Sequence, residues 1–108
     1  MRMDTATDPT TIPTALRALA DPLRWRIVEL LAGEQLCVCH LVEELGAAQP
    51  LVSHHLGVLR RAGLVTSQRF RRWTYYRLRP QALAAVAERL AGLAATPPPA
   101  GGDRRPCC

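Results

Sequence analysis

The sequence predicts a mainly α-helical domain carrying a two-stranded β wing, a winged helix-turn-helix that pairs into a dimer. Three observations carry this expectation. Two apolar-periodic helices are separated by the short connection Ala47-Ala48-Gln49, the spacing of a helix-turn-helix. The apolar period then switches from helical to alternating between Leu64 and Leu78. Finally, the segment from Leu45 to Ala87 holds no Asp or Glu but seven arginines: Arg60, Arg61, Arg69, Arg71, Arg72, Arg77 and Arg79.

The elements follow in order. Residues 1–9 are polar and are expected to be flexible, and Thr11-Ile12-Pro13 opens a first helix running to about Ala20. Asp21-Pro22 starts a second: the carboxylate caps free N–H groups and the proline lacks one, after which Leu23, Ile27, Leu30 and Leu31 share a face up to Gly33. Val38, Leu41, Val42 and Leu45 form a two-turn helix stopped by Gly46. Pro50 sits in the first turn of the next helix, whose expected buried stripe is Leu51, Val52, His55, Leu56 and Leu59, ending at Gly63. Leu64–Phe70 and Trp73–Leu78 are rich in β-branched and aromatic residues and form a hairpin turning at Arg71-Arg72. Pro80 opens a last helix to about Ala95, with Leu83, Val86, Leu90 and Leu93 in register and alanines that permit close approach of a second helix. The working domain is therefore 10–95, and 96–108, TPPPAGGDRRPCC, is a flexible Pro/Gly-rich tail.

A chain of 108 residues with 48% hydrophobic residues supports one compact domain with a modest core. Burying a leftover apolar face against a second copy is economical at this size, so a homodimer is expected. A net charge of +5 and a pI near 9.7 point to an acidic partner. The one-sign segment favours duplex DNA over a membrane surface. No apolar run approaches the roughly 20 residues needed to span a bilayer, and the opening MRMDTATDP lacks the apolar stretch of a signal peptide, so the expectation is a cytoplasmic protein with no membrane partner. Its cysteines, Cys37, Cys39, Cys107 and Cys108, are then reduced thiols, in neither a disulfide framework nor a CxxC motif.

With its buried stripe inward, the helix after Pro50 turns Gln49, Ser53, His54, Arg60 and Arg61 outward. Gln49 and Ser53 lie at its N-terminus, where such helices reach base edges, while Arg60 and Arg61 lie nearer the phosphates. Arg69, Arg71 and Arg72, with Arg77 on the flank, make the hairpin a basic wing suited to phosphate or minor-groove contact. His54 and His55 point about 100° apart on a helix and are poor co-ligands. Ser53 and His54 lack a nearby carboxylate to orient a base, which argues against hydrolytic chemistry.

DPLRWRIVELL, LCVCHLVEELG, QPLVSHHLGVLRRAGLV and the wing ending WTYYRL together resemble the ArsR (ArsR/SmtB) family of metal-sensing repressors over about residues 12–95. LCVCHL resembles the family's metal-binding box ELCVCDL, with Gln35 in place of Glu and His40 in place of Asp. The resemblance implies a dimer built on the first and last helices, binding to a palindromic operator in the ion-free state, and release when metal binds. Two positions depart from the pattern. Val42 stands where well-known arsenite sensors carry a third cysteine, and the wing tip has no glycine.

Thiolates are soft ligands, suited to As(III) or Sb(III) as inducer, with Cd(II), Pb(II) and Zn(II) as alternatives. Residues two apart in an ideal helix point about 200° apart, so Cys37 and Cys39 share an ion only if the pair lies on the turn before the helix or if binding unwinds its first turn. Arsenite prefers three sulfurs, and Cys107 or Cys108 is the expected further donor. A tail of about twelve residues reaches roughly 40 Å extended and about 20 Å as a coil. His40 is expected to face solvent. A redox-sensing repressor of the same fold is the main rival reading. A thiol-transfer enzyme is disfavoured by the missing βαβ pattern, and a salt-dependent DNA-binding assay separates a mere dimeric interaction module.

Overall fold

In the computed structural model, residues 11–102 and 104–107 are described; the N-terminal expectation for 1–9 and the position of Cys108 lie outside them. The order is α1 (Thr11–Leu19), α2 (Pro22–Leu31), β1 (Leu36–Cys37), α3 (Val38–Leu45), α4 (Gln49–Arg61), β2 (Val65–Phe70), β3 (Trp73–Leu78) and α5 (Pro80–Ala95). No helix among the described residues is long and apolar enough to cross a membrane.

Local chemistry sets most of these boundaries. Asp21 caps α2, its Oδ1 accepting the N–H groups of Leu23 at 2.8 Å and Arg24 at 3.1 Å. Gly46 ends α3 at φ 63°, and Gly63 turns the chain from α4 into β2 at φ 79°, both in the left-handed region that glycine adopts without steric cost. The carbonyl of Gly63 accepts a 2.8 Å hydrogen bond from Nη1 of Arg79, so this arginine ties the α4–β2 turn to the end of the wing. The hairpin turns at Arg71-Arg72 with Arg71 at φ 59°. A non-glycine residue there costs about 1–2 kcal/mol.

Ile27 of α2, Leu41 of α3, Val52, Leu56 and Leu59 of α4, and Leu64 are fully buried and form the centre of the core. α3 and α4 pack together there as the two helices of the helix-turn-helix, and α1 lies against both α4 and α5. Two expectations need correction. Leu51, placed in the buried stripe, is 46% exposed, because at 100° per residue it falls at the edge of the arc centred on Val52, Leu56 and Leu59. The hairpin is also not alone: β1 pairs antiparallel with β3, Leu36 opposite Tyr76 and Cys37 opposite Tyr75, giving a three-stranded sheet in the order β1-β3-β2. Two residues are too few for a recognisable alternation, and their pairing partner is distant in sequence. Leu90 and Leu93 of α5 remain 49% and 74% exposed.

Candidate metal centre and nucleic-acid interface

The sheet places the cysteines. Cys37 is the last residue of β1 and the N-cap of α3, with an extended backbone (φ −91°, ψ 171°), and Cys39 lies in the first helical turn. Because Cys37 is not helical, the 200° divergence of an ideal helix does not apply. The two sulfurs lie 2.7 Å apart with α3 intact, so no unwinding is needed to bring them together. Cys37 is buried and Cys39 exposed, so the pair is held from inside and approached from outside.

His40 joins them. The Cys37 backbone N–H donates to His40 Nδ1 at 3.2 Å, and the same nitrogen lies 3.3 Å from Cys37 Sγ. This is the reciprocal geometry of a capping box, in which the third helical residue reaches back to the N-cap. His40 is exposed, as expected, and its Nδ1 edge lies against the Cys37 thiol. The ligand atoms of Cys37, Cys39 and His40 all lie within 4.8 Å of one another. Two soft sulfurs and a borderline nitrogen fit a thiophilic ion. The i, i+3 spacing of Cys37 and His40 at a helix start was the sequence signal for this third group.

The thiols are unequal. Burial pushes the Cys37 thiol up, but the hydrogen bond from Cys39 and the backbone N–H groups at the start of α3 outweigh it, and Cys37 ends below the usual cysteine range. Cys39 is pushed up, chiefly by its hydrogen bond with Cys37.

Aromatic side chains from the wing complete the surroundings. Trp73 and Tyr75 of β3 line a cleft of about 230 Å³ together with Cys37, Cys39 and His40. The His40 and Tyr75 rings lie 6.3 Å apart, and Trp73 is 44% exposed. The tail is not brought here: Cys107 is exposed and outside the three-residue group, and Cys108 lies beyond the described residues.

The other surface is built from α4 and the hairpin. Gln49, Ser53, His54 and Arg60 are exposed on α4, as are Arg69, Arg71, Arg72 and Arg77 on the hairpin. Arg61 is exposed too, but its guanidinium folds back, with Nη1 3.2 Å from where a Cβ on Gly57 would sit, toward the clefts beside α1. Ala48 supplies no side-chain cap to α4; its carbonyl instead accepts the N–H groups of Leu51 and Val52, both at 3.1 Å. Leu51 is exposed, and it is the residue of this face that sequence reasoning assigned to the core. At the wing tip Arg71 lies 5.3 Å over the Phe70 ring and Arg72 5.3 Å over Trp73, pairings that stiffen both arginines while leaving them accessible.

His55 faces the opposite way. It is 8% exposed, and its Nδ1 accepts from Nη1 of Arg24 at 3.0 Å, while Arg24 Nε donates to the Ala18 carbonyl at 2.7 Å. An arginine can only donate, so this ring carries its proton on Nε2. Burial, more than any neighbouring charge, pushes the His55 pKa below the usual imidazole value.

Comparison with known proteins agrees with this geometry. The sequence pattern of bacterial regulatory proteins of the arsR family matches residues 21–67, from the cap of α2 into β2. An arsenic resistance transcriptional regulator of Pseudomonas putida KT2440 is 42% identical over 84 residues, covering 77% of this chain and 66% of its own length. The transcriptional repressor SmtB of Mycobacterium tuberculosis H37Rv is 49% identical over 71 residues, covering 66% of this chain and 53% of its own. The chain thus spans between about half and two thirds of these relatives' lengths. A crystal structure of a possible transcriptional regulator for arsenical resistance superposes with a TM-score of 0.69 at 36% identity, covering 77% of this chain and 86% of that one. With the helix-turn-helix, the wing and the sequence pattern in agreement, the chain belongs to the ArsR family of bacterial regulatory proteins, a family of regulators and not of enzymes.

Proposed function

We propose that this chain is a cytoplasmic transcriptional repressor that binds a palindromic operator as a homodimer and leaves it when Cys37 and Cys39 take up a thiophilic ion, As(III) or Sb(III). The observation that carries the reading is the juxtaposition of two thiols, 2.7 Å apart, at the point where β1 meets α3. Both DNA-facing elements connect to that point. α3 packs on α4, and Cys37 is paired through its backbone with Tyr75 of the wing. Any rearrangement around the thiols therefore reaches the helix that reads bases and the ribbon that holds phosphates.

Bound there, the ion supplies a cross-link between the last residue of β1 and the first turn of α3, and both cysteines give up their protons to hold it. In this reading Gln49 and Ser53 meet base edges, and Arg60, Arg69, Arg71 and Arg72 meet phosphates. The exposed Leu16 of α1 and Leu90 and Leu93 of α5 supply an apolar surface for the second copy. His40 favours a second reading of the same site, since an S₂N donor set also suits Zn(II), Cd(II) or Pb(II). Cys107 and Cys108 remain proposed additional donors, by the reach of their tail.

The test is a panel of ions added to the protein on its own promoter DNA, followed by band shift. Arsenite and antimonite are expected to release the DNA below the concentration at which Zn(II) does, from a complex of dimer mass. Release by none of these ions, or a monomeric complex, overturns the proposal.

A further inference from the structure

We propose that Arg24 is a positioning residue for operator reading: through the neutral His55 ring its guanidinium holds α4 at one angle, so that sequence preference, as distinct from DNA affinity, hangs on this link. The proposal rests on the reading of α4 as the base-contacting helix. Arg24 lies in the first turn of α2, where its own backbone N–H donates to Asp21 Oδ1 at 3.1 Å. Its Nε donates to the Ala18 carbonyl near the end of α1 at 2.7 Å, and its Nη1 donates to His55 Nδ1 of α4 at 3.0 Å. One planar group thereby joins three helices, with both donors set by the rigid fork of the guanidinium.

The packing around α4 shows what the link restrains. Val52, Leu56 and Leu59 anchor one arc of the helix in the apolar core. The arc facing α1 and α2 instead borders a cleft of about 260 Å³, with Arg17, Ala18 and Arg24 among its walls and Val58, Arg61 and Ala62 from α4. Apolar packing is thin on that side, so resistance to a roll about the helix axis falls to the Arg24–His55 bond. At a radius of about 5.5 Å, a roll of about 10° moves side-chain atoms by about 1 Å, enough to take a base contact of about 3 Å out of hydrogen-bonding range. Gln49 and Ser53 then miss their base edges, while the hairpin arginines, on a separate element, keep their hold on phosphate.

The link is also proton-sensitive. A protonated imidazole has two donors and no acceptor, so it loses the bond and sets a second cation against the guanidinium. Burial opposes the proton most, Asp21 of α2 favours it, and Arg24 and His54 oppose it. Of the other elements packed on α4, α1 contributes Arg17, on the same cleft as Arg24, and β2 carries Arg69, toward the wing tip. The α3 carboxylates Glu43 and Glu44 line a separate cleft with Leu30 and Glu34.

The experiment measures, with the full chain at fixed ionic strength, the ratio of affinities for its own promoter DNA and for a scrambled duplex of equal length. At pH 7.5 Arg24→Ala is expected to lower this ratio about tenfold, within the span of one base contact, with scrambled-duplex affinity nearly unchanged. Arg24→Lys, which keeps the charge but not the fork, does not restore it. In the unaltered chain the ratio falls toward the Arg24→Ala value as pH drops below the ordinary imidazole range near 6.5. In His55→Gln, whose amide oxygen accepts from Arg24 at any pH, it stays high and flat; His54 titrates in every variant and cancels in the ratio. An unmoved ratio in Arg24→Ala, equal loss on both duplexes included, makes Arg24 at most a phosphate contact and overturns the proposal. Restoration by Arg24→Lys does the same, as does a fall with pH in His55→Gln as large as in the unaltered chain. Nitrogen-resolved NMR of the imidazole tests the link without DNA: the Nε2–H tautomer is expected, with a His55 pKa that rises in Arg24→Ala, and an Nδ1–H tautomer overturns the proposal. If the unaltered chain prefers neither duplex, the operator reading itself has failed, whatever the ring shows.

Discussion

The thiol cleft and the DNA-facing surface are adjacent, yet they are built on opposite principles. The cleft is fixed by backbone: a strand pair, a helix cap and a hydrogen bond hold Cys37, Cys39 and His40 within ångströms of one another. The proposed DNA-facing surface is a spread of exposed side chains on α4 and the hairpin, whose charged members are all arginines. Geometry sets what the first accepts, and long-range electrostatics sets what the second attracts. Substitutions should therefore separate sensing from binding.

The largest separation is expected from Cys37→Ser and Cys39→Ser: operator affinity stays while release by arsenite is lost, as followed by fluorescence anisotropy on labelled operator. Loss of DNA binding in Cys39→Ser, an exposed position, would mean the two regions are one structural unit.

Next come substitutions on the other side of the divide. Ser53→Ala or Gln49→Ala should cost about 1–3 kcal/mol on the cognate site and change which bases are preferred. Arg71→Ala or Arg72→Ala should weaken all sequences alike and flatten the salt dependence, with ion affinity unchanged. Altered base preference in the wing variants alone would reverse the assignment. Removing Pro106–Cys108 is expected to act more weakly, lowering arsenite affinity and the sulfur count around arsenic in X-ray absorption while sparing DNA binding. A three-sulfur signal in the truncated chain would assign the third donor elsewhere.

The smallest effect concerns pH. His55 has a depressed pKa in the folded state, so as pH falls through the ordinary imidazole range near 6.5 the unfolded chain takes up the proton first and stability declines. Above that range the ring is neutral in both states and contributes no pH dependence. Urea melts between pH 7.5 and 5.5 should show the decline in the unaltered chain and a shallower one in His55→Gln.

How much of this was legible depended on how local the cause was. Asp21-Pro22 announced α2 because a cap and a proline act within one turn, and the hairpin declared itself through alternation. Leu51 misled because a helical stripe says which face is apolar and not how wide the buried arc is: its neighbour Val52 is fully buried. β1 was invisible, being two residues paired to a partner remote in sequence. The consequence fell on the cysteines: helical spacing set Cys37 against Cys39, and only the strand frees Cys37 from that spacing. The His40 orientation was encoded locally, in the N-cap to third-residue spacing.

The pairing of Cys37 with Tyr75 also has a bearing on how the chain opens and closes. A site that exists only while the ribbon is docked binds its ligand in the closed population alone, so ligand adds to the free energy of local opening in proportion to the logarithm of its concentration. Backbone amides of β1 and β3 should therefore become protected from hydrogen exchange together on loading, while α5, which shares no strand with them, keeps its own rate. Under the proposed function, an inducer would loosen the regulator's hold on its target and, in the same event, tighten the regulator's hold on its own fold.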